Sequence, residues 1–187
     1  MARAGTDTRR QLVDAALQTL KTAGFAGATS RAIARAAGVN QALLFYHYGS
    51  LDALLLAALD QTSGERLGRY RAAVADAHGA EELARVLARV YEEDRDSGHM
   101  TVVAQMVAGS VAHPRLAPAM LERMQPWLEL AEEALRKAEI PEVVPLRDLA
   151  YAVVTFYLGV NLLTHLDQDR TRTDALFAHA PGLAKLF

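Results

Sequence analysis

Thr29-Ser30-Arg31-Ala32-Ile33-Ala34-Arg35-Ala36-Ala37-Gly38-Val39-Asn40-Gln41-Ala42-Leu43-Leu44-Phe45-Tyr46-His47-Tyr48-Gly49-Ser50-Leu51 reads as two short helices joined by a tight turn. Thr29 and Ser30 are residue types whose hydroxyls accept from the free amides of a first helical turn. Ile33, Ala34 and Ala37 then repeat at helical spacing and mark one apolar face. Gly38 stands where that helix must stop, because glycine enters the left-handed region without strain. Val39 plugs the turn, and Asn40 is a second N-cap type. The next helix spans residues 41–48, with Leu44 and Tyr48 four apart on its inner side. Gln41, Ala42, Phe45 and Tyr46 are left pointing outward.

This pattern predicts a helix-turn-helix. In that motif the second helix enters the DNA major groove with its N-terminal residues on base edges. The outward side chains suit such a surface: an amide, a small apolar group, two aromatics, and no acid between Thr29 and Ser50. Spacing alone fits an ordinary helical hairpin in an all-α core equally well.

The segment resembles the DNA-binding domain of the TetR family of transcriptional regulators. The resemblance is carried by Thr29-Ser30-Arg31, Ile33-Ala34, Ala37-Gly38-Val39 and Leu44-Phe45-Tyr46-His47-Tyr48, and it closes on Ser50, Asp52 and Leu54. It reaches back to Arg9 and takes in Gly24-Phe25, so it covers roughly the first 55 residues. Capping, turn and hydrophobic positions agree in one register. Two positions depart from the family pattern. Leu51 stands where the family usually has a lysine that resembles a phosphate contact. Leu43 is bulky and apolar where smaller residues are usual on the reading face, and it could pack on a thymine methyl.

At 187 residues the chain is one large or two small domains, long enough to bury a core. Ala and Leu dominate and β-branched residues are sparse, which favours an all-α protein. With no cysteine there is neither a disulfide framework nor a thiolate metal site. The N-terminus lacks a signal-peptide apolar core, and no uninterrupted run of about 18 apolar residues occurs, so a cytoplasmic protein with no membrane partner is expected. The net charge of −2 does not suggest DNA binding, but its distribution does. Residues 1–50 hold six Lys or Arg against two acids, a net +4, leaving −6 for the rest. A basic head on an acidic body is the asymmetry expected when one part binds DNA and the other does something else.

Along the chain, residues 1–6 read as a loose arm. A first helix runs from about Thr8 to Ala23 with Leu12, Ala16, Leu17 and Leu20 as its apolar stripe. Arg9 and Arg10 lie at its start, where a helix dipole disfavours cations and a phosphate would welcome them. Phe25 anchors the head. Helices are expected over 51–75 (with a possible break at Gly64 or Gly68), 81–97, 100–112, 118–138, 146–166 and from about 173 to 180. Pro126 predicts a kink or break in the seventh, and His113-Pro114 ends the sixth. The expected architecture is therefore a three-helix DNA-binding head, residues 1–50, and a helical-bundle body for effector binding and dimerisation, residues 51–187, with about nine helices in all.

Nothing in the sequence assembles a catalytic or metal site. The six histidines are scattered, none at the spacing of a metal motif, and no phosphate loop or nucleophile–base pair occurs. Neither an enzyme nor a cofactor is expected. The body instead suggests a small-molecule site. Soft and polar residues on otherwise apolar helices are its candidates: Tyr91, His99, Gln105, Met106, Met120, Met124, Trp127, Tyr151, Tyr157, Asn161 and His165. Methionines adapt to irregular cavities, and a few convergent polar groups orient a ligand, which would be apolar or amphipathic. The same Met, Trp and Tyr spacing also suits plain core. Asn161 and His165 lie four apart on a nearly all-apolar helix, so they pair with each other, across a dimer, or with a ligand.

That helix is also the dimer candidate. It is apolar almost all round, and one chain of this size has little left to cover every side. Val153, Phe156, Gly159, Val160 and Leu163 are the expected contact positions, and the resembling family dimerises through its last two helices. A two-fold dimer would set two reading helices about 34–36 Å apart on double-stranded DNA. Thr29, Ser30, Arg31, Asn40, Gln41, Ala42, Leu43, Phe45, Tyr46 and His47 form the expected DNA face. Ser30, Arg31, Tyr46, His47 and the N-terminal arginines go to phosphates; Gln41, Ala42, Leu43 and Phe45 go to bases. The expected function is a ligand-responsive repressor that binds a palindromic operator. The alternatives are a constitutive DNA-binding regulator and a helical ligand-binding protein that no longer reads DNA.

Overall fold

The computed structural model describes the backbone of residues 2–95, 97–139, 144–166 and 170–183, and the side chains of these residues except 2–6, 95, 165, 166 and 183. All regular structure among them is helical. The order is α1 (Ala2–Gly27), α2 (Ser30–Ala36), α3 (Gln41–Tyr48), α4 (Leu51–Ala75), α5 (Gly79–Arg95), α6 (His99–Ala112), a short 3-10 turn (Pro114–Leu116), α7 (Ala117–Lys137), α8 (Leu146–Leu166) and α9 (Thr171–Leu183). The all-α expectation holds.

Several boundaries differ from the sequence expectation for physical reasons. The first helix begins earlier, and its C-terminal end continues after a break at Gly24 (φ 69°, ψ −177°), where glycine alone is unstrained. No break interrupts α4 at Gly64 or Gly68, since glycine weakens a helix without removing a hydrogen-bond donor. Pro126 lies within a continuous α7.

The chain divides into two compact units. The first holds residues 1–65 and 101–122. Leu12, Leu20, Ile33, Leu44, Leu54 and Leu55 are its fully buried large side chains from the N-terminal helices, and Val102 and Met106 of α6 are buried as well. Here the end of α1 meets α6 closely. A Cβ on Gly109 would overlap the Phe25 ring. The Phe25 amide, left without an intrahelical acceptor by the Gly24 break, donates to Gln105 Oε1 at 2.9 Å. Asp52, at the start of α4, pairs with Arg115 at 2.9 Å.

The second unit holds residues 66–100 and 123–187. Tyr70, Val74, Ala77, Leu83, Val86 and Leu130 form a buried cluster, with Trp127 and Val90 packed against it. Helix α9 lies along α5, and the Phe177 ring stacks on Tyr91 with centroids 4.2 Å apart.

Candidate functional site

The exposed face of α3 is built by capping and by one buried leucine. Thr29 accepts from the Ala32 amide at 3.2 Å and starts α2; Asn40 accepts from the Ala42 amide at 2.8 Å and starts α3. Gly38 at φ 68° makes the turn between them. Leu44 is fully buried and fixes the rotation of α3 about its own axis. That rotation puts Gln41, Ala42, Leu43, Phe45 and Tyr46 on the exposed side, with Phe45 at 45% and Tyr46 at 81% of full exposure. His47 is half-buried with its ring edge-on to Tyr46. Arg31 and Thr29 are exposed, and Ser30 is half-buried. Gln41 donates through Nε2 to the Ser30 hydroxyl at 2.8 Å, so two residues expected to touch DNA touch each other first.

Tyr48 ties α3 to α1. Its hydroxyl donates to the Arg9 carbonyl at 2.9 Å, and the Arg9 guanidinium lies over its ring at 5.0 Å. Burial raises the Tyr48 pKa, and Arg9 offsets part of that rise. Leu51, at the position of the family's usual lysine, is half-buried.

The candidate ligand residues separate between the two units. Gln105, Met106 and Met120 belong to the first, where Met106 and Met120 are buried and Gln105 holds the Phe25 amide. The others belong to the second. There Tyr91 is buried against Phe177 and donates to Asp174 Oδ1 at 3.1 Å. Tyr157 meets the same Phe177 ring edge-on. His99 is buried with its ring 6.1 Å from that of Trp127. Met124 is half-buried. Asn161 donates to the Tyr157 carbonyl one turn back. Tyr151 is 64% exposed on the outside of α8. His165 lies outside the described side chains.

The centre of the second unit is a residue the sequence reading passed over. Asp94 is 3% exposed. Its Oδ1 accepts from Arg66 Nε at 2.9 Å and from the Tyr70 hydroxyl at 2.7 Å. Its Oδ2 accepts from the Tyr157 hydroxyl at 3.1 Å. Helices α4, α5 and α8 thus meet on one carboxylate. Burial, and then the carboxylate beside them, push the Tyr70 and Tyr157 hydroxyls well above the ordinary tyrosine range. The signal was present in the sequence: Leu83, Val86, Val90 and Tyr91 set the buried stripe of α5, and Asp94 falls on it.

An open groove of about 420 Å³ lies at the α4–α5 end, lined by Ala73, Asp76, Arg85 and Arg89 among others. None of the candidate ligand residues lines it. Among the described residues no group of three or more His, Asp or Glu could hold a metal. Helix α8 is long and apolar enough over Leu146–Thr164 to cross a membrane, with mean hydropathy 1.3, and little of it is buried. Phe156, Leu162 and Leu163 are exposed on it, as is Leu176 on α9; Val153, Gly159 and Val160 are half-buried.

Residues 12–58 match the family model described as bacterial regulatory proteins, tetR family. The HTH-type transcriptional regulator BetI of Paraburkholderia phytofirmans is 29% identical over 182 residues, 95% of this chain and 76% of that protein. Residues 12–58 thus carry the tetR-family regulatory domain, and the chain as a whole is similar to HTH-type transcriptional regulators. A second relative, the HTH-type transcriptional regulator UidR of Escherichia coli K12, is 22% identical over 132 residues, 71% of this chain and 66% of UidR's own length. Among solved structures, the multidrug binding protein EbrR complexed with imidazole aligns with a TM-score of 0.64 at 27% identity, covering 92% of this chain and 93% of that one. The matched segment contains α2, α3 and every exposed α3 residue described above. The tetR-family match holds the helix-turn-helix where the capping and glycine pattern put it.

Proposed function

We propose that this TetR-family regulator works in the cytoplasm, binds a palindromic operator as a homodimer, and releases it when a small apolar or amphipathic molecule occupies the body. Residues 1–50 read DNA, and residues 51–187 respond and dimerise. The observation that carries the DNA half is the α3 surface, where Leu44 faces in and Gln41, Ala42, Leu43, Phe45 and Tyr46 face out, with no acid among them. Arg31, Ser30, Tyr46 and His47 meet phosphates and set register; Gln41, Ala42, Leu43 and Phe45 meet base edges. The half-buried Leu51 offers no charge to the backbone, so phosphate affinity rests on the arginines.

The exposed apolar row on α8, with Leu176 of α9, supports dimerisation. A helix face this apolar is covered in the working protein, and a second copy of the same face closes a two-fold interface. EbrR, by its description a multidrug binding protein, supports ligand response as the role of the body. The Asp94 centre gives that response a route. Arg66 and Tyr70 sit on α4, the helix that begins directly after the reading helix, and Tyr157 sits on α8. A molecule that parts the rings around Asp94 changes what α4 and α8 hold on to. It shifts DNA affinity only by as much as it prefers one arrangement over the other. Titrating small apolar and cationic compounds into the protein–operator complex tests this: loss of DNA binding supports it, and indifference across compounds that bind the protein overturns it.

A second reading has its own observation. In the second unit Tyr91 stacks on Phe177, His99 lies beside Trp127 and Tyr157 bonds Asp94, while the open groove lies elsewhere. A constitutive regulator would look the same, and it would bind its operator equally with or without any compound.

A further inference from the structure

We infer that Ser30 is a positioning residue for base recognition, holding the Gln41 carboxamide in the orientation in which it reads DNA. The inference rests on the DNA-reading assignment above and deepens it.

The geometry is specific. Gln41 Nε2 lies 2.8 Å from Ser30 Oγ, across eleven residues of sequence. Neither side chain is needed to cap a helix. Thr29 caps α2 and Asn40 caps α3. Ser30 and Gln41 are instead the first residues inside their helices, and their bond joins the two elements at the surface. Gln41 is exposed, as a side chain that must meet a base should be.

An exposed glutamine normally samples many rotamers, and ordering it on binding costs affinity. A glutamine already anchored has spent part of that cost on folding. The bond uses one of the two Nε2 hydrogens. The second hydrogen and Oε1 stay available, and together they match the acceptor N7 and donor N6 of adenine. The Ser30 hydroxyl accepts in this bond, so its own hydrogen can turn to a phosphate. One serine then links a backbone contact to a base contact, and register on the phosphates fixes the amide over its base pair.

A serine that only touches phosphate makes a different prediction. It would weaken binding to every sequence alike, because phosphate contacts carry no sequence information. The test is a matrix of affinities. The duplexes are the operator recovered by selection and its three alternatives at the base pair whose preference Gln41→Ala relaxes. The proteins are the full chain, Ser30→Ala, Ser30→Thr, Gln41→Ala, and the double variant Ser30→Ala with Gln41→Ala.

We expect Ser30→Ala to lower discrimination at that pair about three- to tenfold. Ser30→Thr, which keeps the oxygen, restores it. In the Gln41→Ala background the serine change has no further effect on discrimination. An even loss across all four duplexes overturns the inference and leaves the DNA-reading assignment standing. So does a loss of discrimination that adds to that of Gln41→Ala. Failure of the unsubstituted protein to prefer any duplex overturns the assignment, and the inference falls with it. Thr29 and Asn40 still cap both helices in these variants, so an unchanged melting temperature checks that the head stays folded.

Discussion

Arg66 donates through Nε to Oδ1 of Asp94 at 2.9 Å, and the two side chains are 13% and 3% exposed. A carboxylate so far from water is tolerated because it accepts three hydrogen bonds, two of them from tyrosines on different helices. Removing the charge leaves Arg66 with a broken pair. Asp94→Ala is therefore expected to destabilise the protein by about 3–5 kcal/mol. Urea unfolding measures it. A loss under about 1 kcal/mol, the scale of an exposed pair, would mean the site is wetter than the structure shows.

The same centre sets an alkaline limit. Burial raises the pKa of Tyr70 and of Tyr157 above the ordinary value of 10.0. Above that value the unfolded chain loses these protons while the folded chain keeps them, so the folded state binds more protons and stability falls with rising pH. The contribution is complete below pH 10 and declines above it. The paired substitution Tyr70→Phe and Tyr157→Phe should flatten that decline, at the cost of two hydrogen bonds to Asp94. Thermal unfolding between pH 8 and 11 shows whether the slope changes.

Gly109 and Phe25 fit only because glycine has no side chain. A Cβ there would overlap the Phe25 ring, so Gly109→Ala should cost about 1–3 kcal/mol through overpacking. Adding Phe25→Leu should return part of the loss. Two residues in contact are expected to be non-additive in this way, and a strictly additive pair would show that the clash is not what destabilises.

Phe156 and Leu163 stand on the exposed side of α8, at 53% and 64% exposure. Replacing both with glutamate puts two like-charged pairs across a two-fold interface. In the proposed dimer, the unsubstituted protein should sediment as a dimer and the variant as a monomer, and the variant's operator affinity should fall with the second head. An unchanged sedimentation coefficient would place the interface elsewhere.

On the head, the two kinds of contact should separate under mutation. Arg31→Ala weakens binding to all sequences and lowers the salt slope by about one unit. Gln41→Ala relaxes one base position by about 1–3 kcal/mol and leaves the salt slope alone. Binding isotherms at several salt concentrations distinguish them.

The head was legible in the sequence because its signals are local. A cap, an apolar repeat and a glycine lie within a few residues of one another, and Leu44 marks the inward side of α3. The helices of the body were legible for the same reason, apart from their ends. Periodicity marks a proline or glycine as a weak point, but packing decides whether the helix breaks, and neither Gly64 nor Pro126 broke one. The centre of the body was not legible in the same way. Asp94 lies on the apolar stripe of α5, yet its partners are 28, 24 and 63 residues away. Gln105 looked like a lone amide on an apolar helix, and its partner, the Phe25 amide, exists only because Gly24 interrupts α1. A side chain's partner across tens of residues leaves no trace in spacing.

Selection of binding sites from random duplex DNA with the 187-residue chain, at a stated salt concentration, tests the central claim most directly. The account predicts a palindrome with half-sites about one helical turn apart, and an affinity that falls steeply with salt. Recovery of no sequence above background would contradict it, and the exposed face of α3 would then need another explanation.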